Sequence, residues 1–349
     1  MNAATGDHPG FDPTATRRLG RSDVAVSQLG VGTLPFGSNA QGDTDVSIGD
    51  AFAAAYAARL RYFDTAPFYG LGVSEHRLGA CLRSVDRRSV VLSTKVGRLL
   101  RPVAGGPAAA VDAGTPPFEV AFDYSYDGTL RSLEHSLARL GTHAVDIVLI
   151  HDVNRRWQGD LVEQRYREAM DGAHRALRDL RDAGTIKAFG VGVNDWQILL
   201  RFAADGDFDC FMLAGRYTLL DHSSLATFMP DCERRAISVL MAAPFNSGIL
   251  ATGAMGGATY FYTQADPMVM SRTKRIEAIC ARHGVAIAAA ALQFPLAHRA
   301  VASVVTGMRN RREVESNLAH CRARIPGDCW AELKREGLIA ADAPVPAST

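Results

Sequence analysis

The chain has 349 residues, long for one ordinary domain but within reach of a single α/β barrel carrying insertions. Hydrophobic residues make up 47%, ample for a large core, and the near balance of charges (net +1) offers no basic surface for nucleic acid or an anionic membrane. No apolar run approaches the ~20 residues of a membrane span. The first residues show no basic start followed by an apolar stretch, so no secretory signal is expected, and residues 1–16 read as a flexible arm.

From there the chain alternates short β-branched or apolar runs with longer amphipathic stretches. Residues 18–27 suggest a small hairpin ahead of the first main strand. Strands are then expected at 29–33, 62–65, 90–95, 145–151, 188–193, 210–214, 239–244 and 301–306. Helical spacing falls between them, at 47–61, 75–83, 129–140, 166–183, 196–204, 270–283 and 312–321, with a less regular sixth crossover near 223–235. Runs such as Val145–His151 are apolar almost throughout, as strands buried on both faces should be. Eight strand–helix units of this kind fit a closed (β/α)8 barrel better than an open sheet, giving a single domain over 17–340 and a short tail over 341–349. Two long loops, at 102–117 and 253–267, would lie at the C-terminal ends of their strands, where barrels build their sites.

The six cysteines are scattered without CxxC or metal-ligand spacing, and the ten histidines form no HExxH pattern. Reduced thiols, a cytoplasmic location and no metal are expected. No GxGxxG stands between a strand and a helix, so a Rossmann fingerprint is absent.

Four polar residues fall at or just beyond strand ends: Asp64 and Tyr69 after the second strand, Lys95 after the third and His151 after the fourth. Singly, each has a plain structural reading: a turn aspartate, a paired lysine, a satisfied core histidine. Together they describe proton chemistry. A phenol with a pKa of about 10 is a poor base near neutral pH, so Lys95 is expected to stabilise the Tyr69 phenolate. Asp64 would hold the lysine charged, and His151 would orient a substrate oxygen.

In this order the four residues resemble the aldo-keto reductase superfamily, and the resemblance runs from Arg18 to Asn317. It implies a hydride transfer between a nicotinamide cofactor and a carbonyl or carbinol carbon, with Tyr69 as acid/base and Lys95, Asp64 and His151 tuning it. Cofactor positions implied by the resemblance are Gly32, Thr33, Asp64, Asn194 (for the carboxamide), Arg216, Phe245, Ser247, Gly248, Gly307, Arg309, Asn310, Glu313, Glu315 and Asn317. The chain departs from the family pattern in carrying Val193 for the usual serine, Arg216 for a glutamine, and Ala242 where an aromatic residue stacks on the nicotinamide, with Phe245 as its substitute. Glu313 stands where many NADPH-preferring members carry arginine. A carboxylate there repels a 2′-phosphate and accepts from a free ribose hydroxyl, which favours NAD, while Arg309, Arg311 and Arg312 keep NADP open.

Within the family the chain resembles the dehydrogenase branch that acts on L-fucose, D-threo-aldoses and pyridoxal. This implies a small-molecule substrate oxidised at an aldose anomeric hydroxyl to the lactone; pyridoxal to pyridoxolactone is the alternative. Trp157, Asn246, Tyr260 and Tyr262 are the candidate substrate contacts. An aldehyde reductase, and from another class a nicotinamide-binding sensor or auxiliary subunit, are the remaining readings.

Overall fold

A computed structural model describes residues 11–38, 43–103 and 116–346. Eight parallel strands close into a barrel in strict chain order: β1 (Leu29–Gly32), β2 (Tyr62–Asp64), β3 (Val91–Val96), β4 (Ile147–His151), β5 (Ala188–Val193), β6 (Cys210–Ala214), β7 (Ser238–Ala242) and β8 (Val301–Gly307). Every expected strand is present, with ends shifted by two residues at most. The register sets Asp64 beside Ser93 and Lys95 beside Leu149, so consecutive strands present their ends side by side.

Alternation along the strands separates two cores. Tyr62, Ile147, Leu149, Met212 and Leu240 fill the barrel interior. Phe63, Leu92, Val96, Val148 and Ile150 point outward against the helices. Because Tyr62 faces in, so does Asp64, two residues on; Ile147 and Leu149 put His151 on the same inner face. The hairpin of Thr16–Arg18 and Ala25–Ser27 contributes Leu19, Val24 and Val26 to the interior core and so plugs the end of the barrel remote from those side chains.

Around the barrel run α1 (Asp45–Ala57), α2 (Val73–Leu82), α3 (Tyr126–Leu140), a composite α4 (Val162–Glu168, the π-helical Ala169–His174, then Arg175–Asp182), α5 (Trp196–Asp205), α6 (Phe228–Arg235), α7 (Pro267–Arg282), α8 (Ile287–Leu296), α9 (Arg311–Arg322) and α10 (Gly327–Arg335). Between α2 and α3 the fully buried Glu75 is satisfied by Arg139 Nε at 2.6 Å and, across to β3, by the Thr94 hydroxyl at 2.7 Å. The irregular sixth crossover proves to be two turns of helix, Phe228–Arg235, preceded by turns. The stretch expected as a loop over 102–117 is flanked by paired strands, Arg98–Pro102 and Phe118–Phe122; residues 104–115 lie outside the described residues. No single helix among the described residues is long and apolar enough to cross a membrane.

Candidate active site

The inner-face residues at the ends of β2, β3 and β4 converge. Lys95 Nζ donates to Asp64 Oδ2 at 2.7 Å, to the Thr65 carbonyl at 2.9 Å and to the Tyr69 hydroxyl oxygen at 3.0 Å. All three of the ammonium's donors are thereby used. Ser93 donates to Asp64 Oδ1 at 2.6 Å, so both carboxylate oxygens are fixed. On the β5 side the lysine stem packs close to Gly192, where a Cβ would stand in ordinary contact, 3.7 Å from Lys95 Cε.

Tyr69 is carried not by a strand but by the turn that follows β2. Its N–H bonds to the Ala66 carbonyl, and its own carbonyl receives the Ser74 N–H that starts α2. Next to it Gly70 has φ +62° and lies so close to Gly37 that a Cβ would collide with the Gly37 carbonyl, a place only glycine fills. The turn is anchored below by buried hydroxyls: Thr33 Oγ1 to the Asp64 carbonyl at 2.9 Å, and Ser74 Oγ to the Thr33 carbonyl at 2.7 Å.

Electrostatics refine the expected chemistry. Burial works against the charge on Lys95, but Asp64 and Tyr69 outweigh it and hold the ammonium above the ordinary lysine range. For Tyr69 the balance runs the other way. Burial pushes the phenol up to about 12, against the lowering effect of Lys95. The lysine therefore offsets only part of a desolvation cost, and the phenol is protonated at neutral pH rather than poised as phenolate. Burial, assisted by Arg98 and Lys95, holds His151 well below the usual histidine range, so its imidazole is neutral. Its ring stands edge-on to Tyr69 with centroids 6.2 Å apart, and Nδ1 is buried without a hydrogen-bond partner among the described residues.

Two residues beside this tetrad escaped sequence reasoning. Asp152 directly follows His151, in a left-handed conformation (φ 57°), and sets Oδ2 3.3 Å from His151 Nε2. The same oxygen accepts from Arg98 Nη2. Arg98 is 1% exposed, with its guanidinium over the rings of Phe68 (4.0 Å), Trp157 (4.2 Å) and Phe122 (5.2 Å). The only sequence signals were an arginine three residues past Lys95 and an acid next to His151.

The expected cofactor residues divide into two groups around the mouth. At the ends of β5 and β6, Asn194 Oδ1 accepts from Asn154 Nδ2 at 3.2 Å, and a polar cleft of about 300 Å³ opens between Asn154, Arg156, Asn194 and Arg216. Arg216 reaches the Asn194 carbonyl at 3.1 Å but is also paired with Asp221 at 2.8 Å and lies over the Phe261 ring at 4.1 Å. At the end of β8, Gly307 exposes its backbone, and Asn310 caps α9 by accepting the Glu313 N–H. Arg309, Arg311 and Arg312 surround that helix start; Glu313 accepts the Arg309 N–H at 2.9 Å and pairs with its guanidinium at 3.2 Å. Glu315 is exposed, near Arg311, and Asn317 is buried on the inner side of α9. An exposed glycine backbone, a helix N-terminus and several guanidinium groups suit the phosphates of a dinucleotide, and the amide of Asn194 suits a carboxamide.

Several other expected residues are buried or already engaged within the fold. Thr33 is fully buried with its hydroxyl and N–H both spent on the Asp64 carbonyl, and Gly32 is buried in the barrel wall against Thr306. Asn246 is 2% exposed and spends its amide on the Gly215 carbonyl. All three lie in the wall and loops that frame the mouth. Phe245 is half-buried against the outer core. Ser247 accepts the Tyr262 N–H and Thr259 bonds its carbonyl, tying the Ser247–Gly248 turn to the Thr259–Gln264 hairpin. That hairpin brings half-buried Tyr260 and 69% exposed Tyr262 to the rim, while Trp157 meets Phe68 edge-on at 5.7 Å.

A barrel with a Tyr–Lys–Asp–His cluster at its C-terminal mouth agrees with what similar proteins are. The aldo/keto reductase family model matches residues 28–336. A pyridoxal 4-dehydrogenase of Microbacterium luteolum is 41% identical, covering 93% of this chain and 98% of that protein. A D-threo-aldose 1-dehydrogenase of a Pseudomonas species is 36% identical, over 90% and 95% of the two chains. Among solved structures, the holo form of an aldo-keto reductase from Bacillus halodurans superposes with a TM-score of 0.72 at 22% identity, covering 95% of this chain and 98% of that one, a likeness of fold. With its barrel, its four-residue cluster and these matches in agreement, the chain belongs to the aldo/keto reductase family of oxidoreductases.

Proposed function

We propose that this enzyme oxidises a cyclic hemiacetal to its lactone with NAD, the substrate being an aldose at its anomeric hydroxyl or pyridoxal in its hemiacetal form. The observation that carries the reading is the chain of contacts from Asp64 through Lys95 to the Tyr69 hydroxyl, with neutral His151 beside it. A nicotinamide bound at the mouth supplies the hydride acceptor, with Asn194 at its carboxamide and the Gly307–Asn317 segment at its phosphates and ribose. The substrate hydroxyl gives its proton to Tyr69 Oη, and His151 Nε2 steadies the same oxygen. Lys95, donating to the phenol oxygen, stabilises the deprotonated form that the oxidation direction requires. Since burial raises this phenol to about 12, oxidation is favoured at alkaline pH and carbonyl reduction near neutrality.

The relatives named for pyridoxal and for a D-threo-aldose support this substrate class, because both act on substrates able to form a ring hemiacetal. The preference for NAD rests on Glu313, whose carboxylate already neutralises Arg309 at the start of α9. The test is absorbance at the reduced-nicotinamide band, with NAD or NADP, against pyridoxal, L-fucose, D-arabinose and L-galactose, and simple aldehydes in reverse. Reduction of NAD by pyridoxal or a sugar supports the proposal. Turnover of simple aldehydes alone would make the enzyme an aldehyde reductase.

A further inference from the structure

We infer that Asp152 determines specificity, its Oδ1 accepting a hydrogen bond from a substrate hydroxyl that neighbours the reacting carbinol. The inference rests on the hemiacetal reading and names the feature of the substrate that the site selects.

The arrangement around Asp152 is costly to fold. Its backbone has φ 57° in a residue with a side chain, a conformation that stores strain and gathers at functional sites. Its carboxylate is largely buried, with the side chain 12% exposed, and is paired to an arginine that is itself 1% exposed. Arg98 Nε is buried without a hydrogen-bond partner among the described residues. A pair of this kind gives little net stability compared with apolar residues of the same volume. Packing nonetheless holds it rigidly: three aromatic rings clamp Arg98, while Gln158 Nε2 donates to the Asp152 carbonyl at 3.0 Å and the Tyr124 hydroxyl to the His151 carbonyl at 2.7 Å.

The two carboxylate oxygens are not equivalent. Oδ2 carries both contacts, to Arg98 and at 3.3 Å to His151 Nε2. Oδ1 makes no hydrogen bond among the described residues, and it is not among the buried polar atoms left without a partner. The carboxylate's small exposed part therefore includes a strong acceptor. A reacting oxygen held by Tyr69 Oη and His151 Nε2 lies beside this carboxylate, whose other oxygen is 3.3 Å from His151 Nε2. In an aldose the 2-hydroxyl, and in pyridoxal the ring phenol, sits roughly a hydrogen-bond length from the reacting oxygen, so either is presented to the carboxylate. A substrate without that donor leaves a buried charge partly unsatisfied, the condition under which hydrogen-bonding sites discriminate strongly.

The experiment compares wild-type enzyme and Asp152→Asn on two matched pairs: D-arabinose with 2-deoxy-D-ribose, which lacks only the 2-hydroxyl, and pyridoxal with 3-O-methylpyridoxal. For the pair containing an accepted substrate, wild type is expected to prefer the parent by about ten- to a hundredfold in kcat/KM. Asp152→Asn, whose amide oxygen stays on Arg98 Nη2 and so leaves an NH2 donor where Oδ1 stood, should lose most of that preference by losing activity on the parent alone. Intrinsic reactivity differences cancel, because the readout is the change in the ratio between the two enzymes. An equal loss on both members, or an unchanged ratio, overturns the inference and leaves Asp152 a support for His151. Quenching of protein fluorescence by NADH reports that the variant is folded, and Asp152→Glu, which keeps the charge, should restore part of the preference. If wild type oxidises L-fucose or L-galactose in place of these parents, the same comparison is made with its 2-deoxy analogue. If it oxidises no cyclic hemiacetal, the hemiacetal reading fails and takes this inference with it, whereas turnover of a parent without a shift in ratio removes Asp152 alone.

Discussion

Lys95 Nζ stands 3.0 Å from the Tyr69 hydroxyl oxygen and donates to it, so the phenol's own proton is left to point away from the lysine, toward the mouth of the barrel. The lysine has no further donor to offer, since Asp64 and the Thr65 carbonyl take the others. Replacing Tyr69 with phenylalanine removes the one hydroxyl that exchanges a proton with substrate while keeping the ring against His151. Turnover should fall by about a thousandfold, with nicotinamide affinity little changed in a fluorescence titration. Near-normal turnover in Tyr69→Phe would remove the phenol from the reaction.

Lys95→Met separates chemistry from stability. Lys95, by its charge and its hydrogen bond, lowers a phenol that burial has raised to about 12, so without it the phenolate becomes scarcer and the pH profile of oxidation moves further into the alkaline range. The same change leaves Asp64 buried beside no cation, at a cost of about 3–5 kcal/mol. Asp64→Asn combined with Lys95→Met should therefore recover stability in denaturant unfolding but not activity. An unshifted profile in Lys95→Met would show that the lysine does not tune the phenol.

Much of this site was legible because strand alternation carries information: Tyr62 and Asp64, or Ile147, Leu149 and His151, share a face by counting in twos. What escaped notice depends on long-range packing. Arg98 and Asp152 are 54 residues apart and meet only when β3 and β4 are side by side. Nothing local marks the left-handed turn at Asp152. Thr33 and Asn246 are expected at the mouth by position, and the structure shows in addition that each side chain is engaged with a backbone carbonyl, of Asp64 and of Gly215, which local sequence does not announce. Helix α8 was overlooked for another reason. Ile287–Leu296 is buried on every side, so it has no polar face to give a helical period, and Pro295 reads as a breaker although it falls in the last turn.

Glu313 pairs with Arg309 at the start of α9, and on the proposed placement of the ribose its carboxylate would face an incoming 2′-phosphate. Glu313→Arg should shift the ratio of kcat/KM values toward NADP by about tenfold or more, chiefly through KM. A ratio equal to that of the wild type would mean that Glu313 does not face the ribose.

Acid should destabilise the fold before the carboxylates titrate. His151, His174, His222, His298 and His320 are all held below the ordinary histidine range, with burial the leading cause in each. Below about pH 6.5 the unfolded chain takes up protons that the folded one refuses, so stability is full above that value and falls as pH drops toward the folded-state pKa values. Asp152 works in the opposite sense. Its folded carboxyl, raised to about 6, favours the folded state as pH falls from there toward the ordinary aspartate value, and Asp209, also raised by burial, acts in the same sense, but these are two groups against five. The thermal midpoint should decline by several degrees from about pH 7 to about pH 5. A midpoint constant across that range would show these imidazoles to be more accessible to protons than their burial implies.

Arg98→Met tests how the charge on Asp152 is kept. Burial raises that carboxyl to about 6, while Arg98, Lys95 and Arg156 lower it; His151 beside it is neutral. Removing Arg98 takes away the first of these cations, so the carboxyl must titrate at a higher pH. Methionine can still pack among Phe68, Trp157 and Phe122, which limits the change to electrostatics. If the ionised carboxylate binds substrate, the acid limb of kcat/KM for oxidation should move upward by about one pH unit, with KM rising at neutral pH and nicotinamide affinity unchanged. A support that merely held the loop would lower kcat without moving the limb, and that outcome would reduce Arg98 to a packing residue.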